Sequence, residues 1–354
     1  MRVIYADNVN DAFYHGVNAL IRDGVRQSSR AGYVLVMPYP VCTTYAFPEK
    51  RVLFHAKRDA NPFFHLFEAL WMLAGQKHGA WLDQFVHDFS ERFAEENGDI
   101  HGAYGFRWLR HFDVDGGGED RRLPNQLDTI VELLKKDPND RRIVLSMWDP
   151  VADLGVSKFD IPCNTHVYFR VREEEFKPGG FFEESDHKTG GRLLDMTVCC
   201  RSNDAVWGAY GANAVHFSIL QEYLAARIGV QIGTYYQFSN NFHIYSDMVD
   251  KLSPLEPENR DFYSTGTATR IVTVPEDFDA ELALFMGGHP LRWTYSYRNE
   301  FFPKVTLPLL EAHGLWKQKL RKEAHATLQK LPFGSDWRFA AERWMLRRMH
   351  KVGE

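Results

Sequence analysis

Cysteine is scarce in this chain, with only Cys42, Cys163, Cys199 and Cys200 among 354 residues. They form no C-x-x-C pair, and no spacing matches a zinc site or a disulfide framework, so no metal is expected and a reducing compartment is inferred. An apolar leader is missing too. The opening MRVIYADNVNDAFYHGVNALIRDGV has no basic start followed by an apolar run, and no stretch is long enough to cross a bilayer, so a cytoplasmic protein without a membrane partner is expected. Excess positive charge is also absent: a net charge of −5 argues against a broad face for nucleic acid and for a small partner. A local basic pocket for one phosphate remains compatible with it. Repeats, low-complexity tracts and linkers are likewise lacking. What is present, 44% hydrophobic and 25% charged residues, is the balance of a globular chain with a sizeable core.

Apolar residues at Ala12, Phe13, Val17, Ala19, Leu20 and Ile21, before Gly24, predict a first helix. GYVLVMPYPVCTTYAF and KRVLF read as strands. In NPFFHLFEALWMLAG, Asn61 is a cap, Pro62 the first helical residue and Gly75 the stop; this helix is apolar nearly all round, so it is expected to be buried. After a Gly-rich turn at 114–122, LPNQLDTIVELLKKDPNDRR is amphipathic and ends at Asp137-Pro138. RRIVLSMWDP, THVYFRVR and RLLDMTVCCRS are strands, the last two expected to pair across a loop at 177–191. NAVHFSILQEYLAARIGV is a helix with Asn213 at its cap position. GTYYQFSNNFHIYSDMVDKL is a strand running into a helix. The fold expected is one α+β domain over 1–354, a large mixed β-sheet covered by helices, with 255–354 less readable.

Several polar residues interrupt these patterns. Glu68 lies inside FFHLFEALWML, where a carboxylate needs a polar cavity or an arginine at a helix crossing. Arg141, Arg142, Arg201 and Ser202 sit at strand ends, where they either bind phosphate or cover surface. Cys163 follows Pro162 at a loop-to-strand junction. It reads either as a small buried hydrophobe or as an accessible thiolate, its pKa lowered by arginines. Asn213 is either a cap or a ligand-facing amide.

Taken in order, SRAG, FHLFEALWMLAG, ENGDIHGAYGFRW, DRRIVLSMWDP, IPCNTHVYFRV, CRSNDAVWGAYGAN and NNFHIY resemble motifs of thymidylate synthase and its pyrimidine hydroxymethylase relatives, over most of residues 28–248. The resemblance implies that Cys163 attacks C6 of a pyrimidine nucleoside monophosphate. It implies that Arg30, Arg201 and Ser202 hold the 5′-phosphate, with Arg141 and Arg142 reaching across from the second subunit of a homodimer. His243 and Tyr245 correspond to the pair on the sugar 3′-hydroxyl, Asp204 to the carboxylate on the folate pterin, and Glu68 with Tyr104 to the water-linked proton-transfer groups. The implied cosubstrate is 5,10-methylenetetrahydrofolate. Asn213 corresponds to the base-reading amide if WGAYGAN carries one extra residue, which favours uracil over cytosine, where relatives place an aspartate.

The departures bear on the reaction. A histidine usually follows the cysteine in thymidylate synthases, and here Asn164 stands there; Tyr210-Gly211-Ala212 replaces the usual Pro-Phe before the amide. A tryptophan that packs on the folate falls at Ser90, and the adjacent aromatic position holds Phe93. The chain ends WMLRRMHKVGE rather than in a short apolar tail. The first two changes rebuild the base environment, while the missing tryptophan and tail leave water less well excluded, so hydroxymethylation of dUMP is expected, with tetrahydrofolate released unoxidised. Reductive methylation of dUMP, and hydroxymethylation of dCMP or CMP, stay open, as does a non-catalytic nucleotide- or RNA-binding role. The hydroxymethyl reading implies nucleotide biosynthesis for a modified DNA base, in a host cytoplasm if the protein is viral.

Overall fold

Period-two alternation in THVYFRVR and RLLDMTVCCRS produces two neighbouring strands, which pair antiparallel. The computed structural model describes residues 1–30, 32–112, 125–157, 160–173, 191–257 and 262–352. The expected turn at 114–122 and the expected loop at 177–191, except Gly191, lie outside the described residues. The strands are β1 (Arg2–Ala6), β2 (Val25–Ser29), β3 (Gly32–Val36), β4 (Val41–Tyr45), β5 (Val144–Ser146), β6 (Asn164–Glu173), β7 (Arg192–Asp204) and β8 (Gln231–Tyr245). They form one mixed sheet in the order β1-β4-β8-β7-β6-β5, with β3 on β8 and β2 on β3. β7 and β8 run parallel, so Ser202, Asn203 and Asp204 lie opposite Asn241, Phe242 and His243.

The helices are α1 (Val9–Asp23), α2 (Pro62–Leu73), α3 (Phe89–Phe93), α4 (Tyr104–Leu109), α5 (Gln126–Lys136), α6 (Pro150–Asp153), α7 (Asn213–Ile228), α8 (Ser246–Leu252), α9 (Pro275–Met286), α10 (Leu307–Lys317), α11 (Arg321–Leu328) and α12 (Asp336–Val352). Asn61 caps α2 by accepting from the Phe64 N–H, with Pro62 first in the helix, as its sequence predicts. Ten of its residues are buried, because α2 packs between the sheet-covering α7 and the C-terminal helices. None of the helices, among the described residues, is long and apolar enough to cross a membrane.

The sheet has two unlike faces. Val167, Val198, Gln237, Thr43 and Ile4 form one row across neighbouring strands, all buried beneath the helices. The adjacent row, Val144, Tyr168, Thr197, Tyr236, Thr44 and Tyr5, points to the other face, where Val144, Tyr168 and Tyr5 are exposed.

Two local expectations are corrected. KRVLF is not a strand: Val52 N–H donates to the Tyr263 hydroxyl (3.0 Å) and Phe54 N–H to Asn10 Oδ1 (2.9 Å), so side chains satisfy the backbone where a ladder was expected. Within RRIVLSMWDP only Val144–Ser146 pairs as strand, because Met147 and Trp148 N–H both turn onto the Thr165 carbonyl. The poorly readable 255–354 stretch is mainly helical, and its Phe278, Phe285, Phe302, Trp337 and Trp344 join the same continuous core as the strands.

Candidate active site

The cysteine loop is held from three sides. Cys163 N–H and Asn164 N–H both donate to the hydroxyl of Tyr104, at 3.1 Å each, and Asn164 Nδ2 adds a third bond at 3.0 Å. These three donors share the two lone pairs of that oxygen, and the Tyr104 O–H hydrogen is left to donate elsewhere. Burial holds its pKa well above the ordinary phenol value, so it is a neutral donor. Arg201 donates to the carbonyls of Pro162 (2.8 Å) and Ile161 (3.0 Å), shaping the loop from the β7 side. A bulge between Asn164 and His166 turns the strand just past the cysteine.

Cys163 itself is half-buried. The expectation of a thiol lowered by arginines is corrected: burial raises its pKa, and Arg201 and Arg30 only partly offset that rise. Cys199 and Cys200, adjacent in β7, divide as strand alternation requires, Cys200 buried and Cys199 half-buried.

Asn213 reaches the cysteine loop through an unbroken line of amides. Asn164 Nδ2 donates to Asn213 Oδ1 (3.1 Å), and Asn213 Nδ2 donates to Asn203 Oδ1 (3.1 Å). Asn203 Nδ2 in turn donates to Gln237 Oε1 (3.3 Å) and Ser239 Oγ (2.9 Å). Asn213 is therefore no cap. It is the first residue of α7, continuing a π-type turn over Ala205–Ala212, and its side chain points to Asn164. That wider turn, which contains most of WGAYGAN, has non-helical backbone at Gly211.

Glu68 has a close neighbour that sequence reasoning missed. His216, one turn along α7 from Asn213, places Nε2 3.0 Å from Glu68 Oε2, and both groups are largely buried. Asp160 lies near enough that burial, and then the Glu68 charge, raise its pKa.

Asp204 heads the turn after β7: its Oδ1 accepts from the N–H of Val206 (2.9 Å) and Trp207 (2.6 Å). Burial raises its pKa against these bonds and the pull of His243, and its Oδ2 is buried without a hydrogen-bond partner among the described residues. Trp207 beside it is 51% exposed, and Arg58 lies over its ring at 4.3 Å. Burial pushes Arg58 down to about 10. His243 bonds Asn241 (2.9 Å) and meets Tyr245 edge-on at 5.6 Å.

Arg30 and Arg201 are exposed, and both act on the Cys163 charge; Ser202 follows on the same strand. Arg142 is instead exposed in a bidentate pair with Asp140, and Arg141 is exposed beside it at the approach to β5. No contact among the described residues links Arg141 or Arg142 to Cys163. Phe93 lies at the surface, its ring tilted against Phe89 (5.0 Å), also without a contact to the cysteine loop among the described residues. Ser90 is used structurally: its hydroxyl and N–H both bond the Asp83 carboxylate, at 2.7 and 2.8 Å. Asn203, Gln237, His216, Arg58 and Trp207 were not singled out from the sequence; Asn203 and Trp207 lay inside CRSNDAVWGAYGAN, and only their immediate neighbours drew attention.

The family model described as thymidylate synthase matches residues 4–265, and this chain belongs to the thymidylate synthase family. Within it, the chain is similar to the deoxyuridylate hydroxymethyltransferase of Pseudomonas phage M6, 40% identical over 98% of this chain and 95% of the relative. Deoxyuridylate hydroxymethyltransferases of Bacillus phage SP01 and Delftia phage PhiW-14 are 30% and 25% identical, over 68% and 61% of this chain and 57% and 55% of theirs.

Proposed function

We propose that this chain converts dUMP to 5-hydroxymethyl-dUMP, with 5,10-methylenetetrahydrofolate as one-carbon donor. The observation that carries the proposal is the near end-to-end match to a relative named deoxyuridylate hydroxymethyltransferase. Cys163 adds as thiolate to C6, breaking the C5–C6 π bond and making C5 nucleophilic. Asn213 donates its second Nδ2 hydrogen to O4 and accepts from N3–H on the free lone pair of Oδ1. The cosubstrate supplies a carbon at the oxidation level of formaldehyde. The unpaired Asp204 Oδ2 and the half-exposed Trp207 ring suit the N–H groups and flat face of a pterin. C5 bonds the donated carbon, loss of the C5 hydrogen as a proton then expels tetrahydrofolate and leaves an exocyclic methylene, and water adds to the methylene to supply the hydroxyl. Expulsion of Cys163 then restores the double bond, so no hydride is consumed. Glu68, with His216 Nε2 3.0 Å away, and the Tyr104 O–H are the groups available to move those protons. Arg30, Arg201 and Ser202 bind the 5′-phosphate, and His243 with Tyr245 the sugar hydroxyl.

Hydroxymethylation is favoured over methylation because Ser90, where a shielding aromatic is expected, is committed to Asp83. Trp207 is the observation that favours the second reading, since its ring could shield the new carbon. Mass spectrometry of the product from dUMP, dCMP and CMP, run with dihydrofolate absorbance, decides. A hydroxymethylated dUMP without dihydrofolate is expected; a methylated product with stoichiometric dihydrofolate overturns the proposal in favour of reductive methylation.

The exposed sheet face carrying Tyr5, Val144 and Tyr168 supports a homodimer, with Arg141 and Arg142 completing the partner's phosphate site. Mixing Cys163→Ala with Arg141→Ala/Arg142→Ala subunits should then restore roughly a quarter of wild-type activity, the share expected when half the dimers are mixed and each has one intact site. No recovery on subunit exchange removes the shared site. The phage relatives favour a host cytoplasm and a product destined for modified DNA.

A further inference from the structure

Asn213 can read either pyrimidine, because rotating its amide by half a turn exchanges donor and acceptor. What fixes its sense lies at the far end of the amide line. Gln237, fully buried on β8, bonds the main-chain carbonyl of Ala209 at 3.3 Å and the Tyr235 hydroxyl at 2.8 Å. A main-chain carbonyl only accepts, so the group facing it must be Nε2, and Gln237 Oε1 must face Asn203. Asn203 must then present Nδ2 to Gln237 and Oδ1 to Asn213. Asn213 must present Nδ2 to Asn203, which leaves Oδ1 for Asn164 Nδ2. The sense of four side chains follows from one carbonyl.

We infer that Asn203 and Gln237 are specificity-determining positioning residues: they lock the Asn213 amide in the orientation that reads uracil and reject cytosine. This rests on Asn213 being the base reader. Turning Asn213 to suit cytosine would set its oxygen against Asn203 Oδ1 and its NH2 against Asn164 Nδ2, both in a buried setting where unmatched polar groups are costly. Neither residue needs to touch the nucleotide. Ala209 belongs to the π-type turn that also carries the chain into Asn213, so one local structure places the amide and sets its direction.

The test is equilibrium binding of dUMP and dCMP, without folate, to wild type, Gln237→Met and Asn203→Ala. Wild type is expected to prefer dUMP, and each variant to narrow that preference by about tenfold or more, chiefly through improved dCMP binding. Equal weakening of both nucleotides, with the ratio held within about twofold, overturns the inference and leaves the uracil reading of Asn213 standing. A wild type that prefers dCMP overturns that reading and this one together. If neither variant folds, neutron diffraction of the wild type reads the amides directly. Deuterium between Asn213 and Asn203 carried by Asn213 is expected, and deuterium carried by Asn203 overturns the lock.

Discussion

Burial and charge pull on the Cys163 thiol in opposite directions, and burial prevails. In the free protein this residue is therefore mostly a thiol at neutral pH, and the thiolate fraction rises with pH until the raised pKa is passed. Alkylation of Cys163 by iodoacetamide should climb steadily beyond pH 9.0, the ordinary thiol value. Arg201→Ala should push the midpoint higher still, since it removes the larger of the two offsetting charges. A midpoint below the ordinary value contradicts this account. Cys163, Tyr104 and Asn213 were singled out because they fall in motifs that resemble the family, and the structure brings the three residues to one loop. Asn203, Gln237 and His216 were not, because each acts through another side chain and its meaning depends on a partner 10, 34 or 148 residues away. The net pKa of Cys163 was not legible either, since the arginines are visible in a sequence and the depth of burial is not.

At the scale of elements, the turn between β7 and α7 matters most. The π-type turn over Ala205–Ala212 leaves helical backbone at Gly211 and still delivers Asn213 beside Asn164. A Cβ on Gly211 would lie 2.9 Å from the Val206 carbonyl oxygen and 3.1 Å from Arg58 Nη2, and that carbonyl already accepts from Arg58 Nε at 2.7 Å. Gly211→Ala is therefore expected to cost about 1–3 kcal/mol of stability in urea unfolding. It should also weaken dUMP binding more than tenfold by displacing Asn213. Unaltered dUMP affinity would show that the turn does not place the amide. The strands β6, β7 and β8 and the helices α2 and α7 were readable from period and caps. The π-type turn was not, since five of its eight residues are buried in no helical or strand period, so Asn213 looked like a cap.

At the scale of the whole molecule, the helices beyond the family match brace the site from behind. Asp59, two residues from the N-cap of α2, takes hydrogen bonds from Arg347 (2.8 Å) and Arg348 (3.0 Å to each oxygen) on α12, and Arg348 stacks on Trp344 at 3.7 Å. Burial alone would raise the Asp59 carboxyl, but Arg348 and Arg347 outweigh it and hold it below the ordinary range. A lowered folded pKa means that this stabilisation is present above the ordinary aspartate range and fades as pH falls through the lowered value. Asp59→Asn should cost about 1–3 kcal/mol at neutral pH, with the difference from wild type shrinking in acid. A pH-independent difference in urea midpoints contradicts the latch. These helices were poorly readable because apolar residues face several neighbours at once, which blurs the one-sided pattern a surface helix shows. The latch also has a consequence in time. Arg347 is made 288 residues after Asp59, so a ribosome has long since released the cysteine loop and the amide line before the residues that clamp their support exist. A nascent chain thus carries every group assigned to chemistry while the helix that carries Glu68 is still unclamped.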